Sequence, residues 1–174
     1  MDQQPSTDTH THTDTDTDTH TSSGSGSSSG TADASVDEPI WQRLLAAARA
    51  ARARAYAPYS NFAVGAALLD EQGRIHAGCN VENAAYPQGQ CAEATAIGHL
   101  VLAGGTRILA AVVVGVVAGV ENAVVTPCGG CRQRLREFAA DDAPIWAADL
   151  HSVRGRFTLG GLLPHSFGPG HLSP

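Results

Sequence analysis

The sequence contains no lysine, and all 11 of its basic residues are arginines. Six of the 17 acidic residues lie in 1–36, which holds no arginine, so the other 11 acidic residues balance the 11 arginines of 37–174. A neutral body with an acidic tail lacks the basic patch that binds polyanions. We therefore expect neither a nucleic acid nor an anionic membrane as a partner.

The sequence also lacks a hydrophobic run long enough to cross a bilayer. Its most apolar stretch, AAVVVGVVAGV at 110–120, is far shorter than the roughly 20 residues of a membrane helix and is typical of a buried strand. The N-terminus does not show the basic and apolar regions of a secretory signal. With only 4 cysteines, we expect a cytoplasmic protein whose cysteines bind metal or act in catalysis rather than form disulfides.

The first 36 residues are of low complexity. Thr, Asp, Ser and Gly alternate there with almost no large apolar side chains, so burial cannot offset the entropy of ordering. We predict a disordered tail over 1–36 and one folded catalytic domain over 37–174. Three histidines of the tail, His10, His12 and His20, could bind a transition metal loosely, but a solvated tail is the simpler interpretation.

The remainder alternates between helix and strand patterns, which predicts an α/β fold. A helix begins at Glu38 and Pro39, and Pro58 ends it near Ala57. Further patterns predict strands at 61–70, 74–81, 107–117, 144–150 and 156–160, helices at 91–105 and 128–140, and a short turn or helix at 161–169. The Val-rich strand at 107–117 is too continuous to be half exposed, so we expect it at the centre of a mixed sheet with helices on both faces.

Three of the cysteines lie where two of these helices begin. Cys128 and Cys131 form a Pro-Cys-x-x-Cys motif, and Cys91 starts the preceding helix. Both helices adjoin the central strand in the sequence, so their N-termini, which stabilise thiolates, can come together. Three thiolates would bind zinc and leave its fourth position open to water, as in catalytic sites. A closed structural site with Cys79 as the fourth ligand is the alternative.

Glu93 lies two residues after Cys91, in the first turn of the same helix. Beside a water molecule in the open position, its carboxylate can act first as a base and then as an acid. A glutamate in a first helical turn is also a common stabilising feature of helices. Together, Cys-x-Glu and the later Pro-Cys-x-x-Cys match the signature of zinc-dependent deaminases.

From Trp41 to Phe167 the sequence resembles the small homotetrameric cytidine deaminases. The motifs that carry the resemblance are YAPYSNFAVGAALL, GCNVENAAYPQGQCAEATAIG, TPCGGCRQRLREF and LLPHSFGP. The resemblance implies a three-layer α/β/α sandwich around a five-stranded mixed sheet. It implies hydrolytic deamination of cytidine and 2′-deoxycytidine in pyrimidine salvage. It also implies one zinc ion per chain on Cys91, Cys128 and Cys131, with Glu93 as the proton shuttle.

The resemblance assigns the substrate-binding residues as well. Phe62 matches the aromatic residue that packs on the pyrimidine, Asn80 and Glu82 match the pair that hydrogen-bonds the ribose hydroxyls, and the backbone of Ala92 is expected to fix the base. Three further positions match residues that reach the pocket of a neighbouring subunit in a homotetramer: Ala84, Tyr86 and Phe167.

One position departs from the family pattern. Relatives with three cysteine ligands usually carry an arginine after the catalytic glutamate, where it hydrogen-bonds the thiolates, and here that residue is Ala94. We predict that Arg132 or Arg134 points toward a ligand sulfur instead. The alternative places Arg132 on a solvated helix face.

Three other functions remain open at this stage. The first is deamination of another aminopyrimidine, such as blasticidin S or a cytosine nucleotide, although Asn80 and Glu82 suit a free sugar hydroxyl. The second is nucleic-acid editing, which the neutral body disfavours because phosphate contacts dominate such binding. The third is a zinc-holding module without catalysis, in which Glu93 would have no role.

Overall fold

The computed structural model describes residues 36–172. The predicted tail and its three histidines therefore lie outside the described residues, apart from Val36, which is buried beside the first helix. None of the helices in the described part is both long enough and apolar enough to cross a membrane.

Helices and strands alternate along the described part of the chain. In order, they are α1 (Glu38–Arg52), β1 (Val64–Asp70), β2 (Ile75–Cys79), α2 (Ala92–Leu102), β3 (Ile108–Gly115), α3 (Gly129–Phe138), β4 (Pro144–Ala148), β5 (Val153–Thr158) and α4 (Leu159–Leu162). The strands form a five-stranded sheet of order β2-β1-β3-β4-β5. Strands β3 and β4 are parallel, and the other neighbours are antiparallel. The predicted mixed sheet with the Val-rich strand at its centre is confirmed.

The sheet is covered on both faces, as its side-chain alternation requires. Val112 and Val114 of β3 pack in a core cluster with α1. Their neighbours Ala111 and Val113 point the opposite way, into a cluster with α2 and α3. The three-layer α/β/α sandwich is therefore confirmed, and the continuous apolar run of β3 follows from burial on both faces.

Two glycines let the helices approach the sheet closely. A Cβ on Gly65 of β1 would lie 2.0 Å from the carbonyl oxygen of Ala48 in α1. A Cβ on Gly78 of β2 would lie 2.4 Å from the backbone nitrogen of Ala96 in α2. Both distances are far below van der Waals contact, so only glycine permits this packing. Gly65 lets α1 lie against β1, and Gly78 lets the N-terminal half of α2 lie against β2.

The first helix ends earlier than the sequence predicts. It stops at Arg52 rather than near Ala57, because the backbone of Tyr56 bonds outside the helix. The Tyr56 N–H donates to the carbonyl of Asn80 at 3.0 Å, and the Tyr56 carbonyl accepts from the N–H of Glu82 at 2.8 Å. These long-range bonds replace the last helical turn and tie 53–57 to the segment after β2.

The predicted first strand also begins later, at Val64 rather than at residue 61. Asn61 has a φ of 56°, which is left-handed backbone that asparagine tolerates and a strand excludes. The chain therefore turns at Asn61 before it enters the sheet.

Candidate active site

Three cysteine sulfurs lie together where α2 and α3 begin. Cys91 is the residue before α2, Cys128 is the residue before α3, and Cys131 lies in the first turn of α3. All three Sγ atoms lie within 4.8 Å of one another, and those of Cys91 and Cys128 are 3.9 Å apart. Zinc–thiolate bonds of about 2.3 Å in tetrahedral geometry place sulfurs about 3.8 Å apart, so the cluster fits one zinc ion.

Cys79 does not join this cluster. It is half-buried, and its Sγ lies 3.6 Å from the carbonyl oxygen of Arg54, to which it donates. Within residues 36–172, the group of potential metal ligands contains the other three cysteines alone. The alternative of a closed four-thiolate site is therefore wrong for this fold.

Glu93 is buried beside the sulfur cluster. Its side chain is 3% exposed, and its Oε2 accepts from the Cys131 thiol at 3.2 Å. A first-turn glutamate that served only the helix would face solvent, where carboxylates are best hydrated. Its burial beside three sulfurs instead places a proton acceptor next to the candidate metal position.

The thiol pKa values reflect this crowding of anionic groups. Burial raises the pKa of the Cys131 thiol, and the charges of Glu93 and Cys91 raise it further. Burial also raises the pKa of Cys91. At Cys128 burial is outweighed by hydrogen bonds from the backbone N–H and thiol of Cys131, so that the net shift of its pKa is downward. A divalent cation among these groups offsets their repulsion and stabilises the thiolates.

A cavity of about 270 Å³ opens beside the cluster, close to the roughly 300 Å³ at which small-molecule sites begin. Seven of the residues singled out in the sequence line it, namely Phe62, Asn80, Glu82, Cys91, Ala92, Glu93 and Cys128. They come from the segment before β1, the segment after β2 and the starts of α2 and α3. The fold thus brings two of the three candidate metal ligands, the buried Glu93 and the candidate nucleoside-binding residues to one cavity.

Comparison with known proteins agrees with this geometry. Residues 40–146 match the model of the cytidine and deoxycytidylate deaminase zinc-binding region. The chain belongs to the cytidine and deoxycytidylate deaminase family. A cytidine deaminase from Sporosarcina psychrophila is 43% identical over 132 residues, which cover 76% of this chain and 94% of that protein. One from Mycobacterium tuberculosis strain CDC 1551 is 45% identical over 128 residues, which cover 74% and 90%.

Solved structures of this deaminase family share the fold. The crystal structure of cytidine deaminase from Mycobacterium tuberculosis superposes with a TM-score of 0.61 at 42% identity, covering 74% of this chain and 97% of that one. The enzyme from Burkholderia pseudomallei gives a TM-score of 0.61 at 39% identity, covering 72% and 98%.

The two candidate sugar-binding residues of this family member already make hydrogen bonds to its own backbone. The Asn80 side chain accepts from the Val64 N–H at 2.8 Å and donates to the Phe62 carbonyl at 2.9 Å. Glu82 accepts from the N–H groups of Tyr59 and Ser60 and from the Ser60 hydroxyl. An amide has two donors and two lone pairs and a carboxylate has about four lone pairs, so each side chain retains capacity for a ligand.

Three of the residues singled out in the sequence lie apart from this cavity. Ala84 is exposed, Tyr86 is 75% exposed, and Phe167 is 57% exposed. The Phe167 ring stacks on His171 with 5.0 Å between ring centroids, and its carbonyl accepts from Gln133. Their assignment to a neighbouring subunit's pocket stays a prediction.

The prediction that an arginine of α3 donates to a ligand sulfur is wrong. The Arg132 guanidinium donates to the carbonyls of Pro127 and Leu162 and to the Thr126 hydroxyl. The Arg134 side chain is exposed and makes no hydrogen bond or ion pair within the described residues. Arg132 is also not on a solvated face, because its three oxygen partners hold it partly buried between the Cys128 segment and α4.

Several residues of this site could not be predicted from the sequence. Val64, Val81, Val113, Val125 and Thr126 line the cavity, and Ser60 supports Glu82 from outside it. Apolar residues of this kind carry no sequence signal that separates a cavity wall from ordinary core. For Ser60 the only signal is its position two residues before Phe62, which gains meaning once the turn at Asn61 is known.

Proposed function

We propose that this chain catalyses the hydrolytic deamination of cytidine and 2′-deoxycytidine to uridine and 2′-deoxyuridine, with release of ammonia, in pyrimidine salvage. The observation that carries the proposal is a cluster of three cysteine sulfurs with a buried carboxylate beside it, at the edge of one cavity. Relatives named cytidine deaminase, at 43% and 45% identity over most of their length, support it.

Cys91, Cys128 and Cys131 are the zinc ligands in this proposal, and zinc supplies Lewis-acid activation of water as the nucleophile. Glu93 is the proton shuttle. Its carboxylate takes a proton from the attacking water and delivers it to N3 of the ring. It then takes the proton of the new C4 hydroxyl, which becomes the carbonyl of the product, and passes it to the departing amino group. A C–O bond forms at C4, the C4–N bond breaks, and ammonia leaves.

The remaining cavity residues bind and orient the nucleoside. The Phe62 ring packs on the pyrimidine, and the backbone of Ala92 at the start of α2 fixes the base edge. Asn80 and Glu82 use their remaining donor and acceptor capacity on the sugar hydroxyls. Hydrogen bonds from the Ser60 hydroxyl and the Tyr59 N–H lower the pKa of Glu82. The carboxylate is therefore ionised at neutral pH and accepts a hydrogen bond from a sugar hydroxyl.

The proposal includes a homotetramer in which Ala84, Tyr86 and Phe167 contribute to a neighbouring site. The large exposed fractions of the Tyr86 and Phe167 rings support a role outside the monomer's own core. Light scattering of the purified protein tests the assembly, and a monomer that deaminates cytidine would contradict it. A cytoplasmic, reducing location agrees with the four free cysteines.

A substrate panel tests the reaction and its specificity. Purified protein is incubated separately with cytidine, 2′-deoxycytidine, deoxycytidine monophosphate, blasticidin S and single-stranded DNA, and ammonia and deaminated product are measured. We expect turnover of the two nucleosides and little of the other three. Turnover of the nucleotide or the DNA in preference to cytidine would contradict the assignment.

A further inference from the structure

The segment that carries Phe62 folds around the carboxylate of Glu82. The backbone N–H groups of Tyr59 and Ser60 donate to Glu82 Oε2 at 2.9 and 3.2 Å. The Ser60 hydroxyl donates to the other oxygen, Oε1. Both carboxylate oxygens are therefore held by one short turn, which fixes the plane in which Glu82 can accept a further hydrogen bond.

The same hydroxyl also holds the residue that bears the aromatic ring. Ser60 Oγ accepts from the Phe62 N–H at 3.0 Å. The left-handed backbone of Asn61, with a φ of 56°, makes this return contact possible. One oxygen atom thus connects the Glu82 carboxylate to the backbone of Phe62, and both of those residues line the cavity.

Asn80 holds the other side of Phe62. Its amide bridges the Phe62 carbonyl and the Val64 N–H. Asn80 thus fixes the carbonyl of Phe62. Among the described residues, the Ser60 hydroxyl is the other side-chain group that hydrogen-bonds the Phe62 backbone, and it does so at the N–H. Loss of this hydroxyl would free a rotation of the Glu82 carboxylate without removing any group assigned to bind the nucleoside.

We propose that Ser60 is a positioning residue that aims the Glu82 carboxylate at the sugar hydroxyls and couples it to the Phe62 segment. The proposal rests on the proposed nucleoside deamination and deepens it. Ser60 itself takes no part in the chemistry, so its removal weakens sugar recognition more than it slows the chemical step. A serine that only stabilised the turn would affect ligands with and without sugar hydroxyls alike.

The test compares Ser60→Ala with the wild-type protein and two controls. Ser60→Thr keeps a hydroxyl at the same position. Ser152→Ala removes a serine that contributes only its backbone N–H and carbonyl to the hydrogen bonds of the described residues. The measurements are kcat and KM for cytidine, together with the inhibition constants of uridine and of 2′,3′-dideoxyuridine, which lacks the 2′- and 3′-hydroxyls and keeps the 5′-hydroxyl.

We expect Ser60→Ala to raise the KM for cytidine about tenfold, with kcat changed less than about threefold, since one lost hydrogen bond to a charged group is a change of about this size. The preference for uridine over dideoxyuridine should fall by a similar factor. Ser60→Thr should restore both values, and Ser152→Ala should change neither. In a Glu82→Gln background, Ser60→Ala should raise the KM for cytidine less than about threefold, because the two residues act as a unit.

An unchanged preference for uridine, or fully additive effects of the two substitutions, would overturn the role of Ser60 while leaving the deaminase assignment intact. A wild-type protein that does not deaminate cytidine in the same assay would overturn both. If Ser60→Ala does not fold, Ser60→Cys carries the same comparison, because a thiol is a weak hydrogen-bonding group.

Discussion

The Nε of Arg132 donates a hydrogen bond to the carbonyl oxygen of Pro127, 2.8 Å away. Its two terminal nitrogens donate to the Leu162 carbonyl at 2.7 Å and to the Thr126 hydroxyl at 2.9 Å. One side chain therefore joins α3, the segment that leads into Cys128, and the end of α4. The position of Cys128 relative to Cys131 depends on this contact, although no guanidinium donates a hydrogen bond to a sulfur among the described residues.

Replacing Arg132 by Gln should lower both stability and zinc retention. The shorter amide cannot reach all three oxygens, and the loss of charged, partly buried hydrogen bonds costs about 2–3 kcal/mol. Urea denaturation measures the free energy of unfolding, and a colorimetric chelator measures the rate of zinc release. Arg134→Gln on the same helix is the matched control and should lie within about 0.5 kcal/mol of wild type. Equal effects of the two substitutions would contradict the role given to Arg132.

The zinc content of cysteine variants should distinguish the three cysteines of the sulfur cluster from Cys79. Cys91→Ala removes one sulfur of the cluster and should leave little zinc bound after dialysis. Cys79→Ala should retain one zinc ion per chain, because its thiol lies outside the cluster and donates only to the Arg54 carbonyl. Elemental analysis of the purified variants measures this, and zinc loss in Cys79→Ala would mean that the ligand set is misassigned.

Two glycines should respond oppositely to replacement by alanine. Gly65→Ala places a Cβ 2.0 Å from the Ala48 carbonyl oxygen and 2.5 Å from the Arg52 nitrogen, which displaces α1 and should cost about 3 kcal/mol. Gly98 lies within α2, and a Cβ added there meets nothing within 4 Å among the described residues. Gly98→Ala should therefore stabilise the protein by about 0.5–1 kcal/mol through helix propensity. Thermal denaturation compares the two, and a tolerated Gly65→Ala would contradict the close packing of α1.

Acid sensitivity should come in part from Asp70, which is fully buried. Burial alone would raise the pKa of Asp70, but hydrogen bonds from His76, Arg74 and Gln72 outweigh it and hold the pKa well below its usual range. A depressed pKa stabilises the fold above the unfolded-state pKa of about 3.9, and this contribution is lost as the pH falls further.

Asp70→Asn should therefore cost on the order of 2 kcal/mol at neutral pH. The difference from wild type should shrink below about pH 4, because the wild-type carboxyl is then progressively protonated in the unfolded and finally in the folded state. Urea denaturation at a series of pH values measures the difference. A constant difference down to about pH 2 would show that the charge of Asp70 is not responsible.

Regular elements with strong apolar patterns could be predicted from the sequence. The Val-rich strand, the turn around Gly73 and the end of α2 near Gly104 all follow from local chemistry. Gly73 and Gly104 have φ values of 77° and 79°, which glycine alone adopts readily. The cysteine spacing likewise predicted the sulfur cluster, because helix starts beside one central strand bring their ligands together.

Features that depend on long-range hydrogen bonds to the backbone could not be predicted from the sequence. The end of α1 at Arg52 depends on Tyr56 bonding to Asn80 and Glu82, more than 20 residues away. The Arg132 side chain points toward two backbone carbonyl groups. Every residue has a backbone carbonyl, so the sequence gives no signal for these partners. The expectation that a cation must touch the thiolates led to the wrong partner for Arg132, whose donors instead satisfy three oxygens.

The most direct test of the account compares wild-type protein with Glu93→Gln for zinc content and cytidine turnover in the same preparation. Glutamine keeps the size of the side chain but cannot carry the proton. We predict about one zinc ion per chain in both proteins and a fall in kcat of about 10²–10⁴-fold in the variant, the contribution typical of general acid–base catalysis. Turnover within a few-fold of wild type in a zinc-loaded Glu93→Gln protein would contradict the assignment of Glu93 as the proton shuttle.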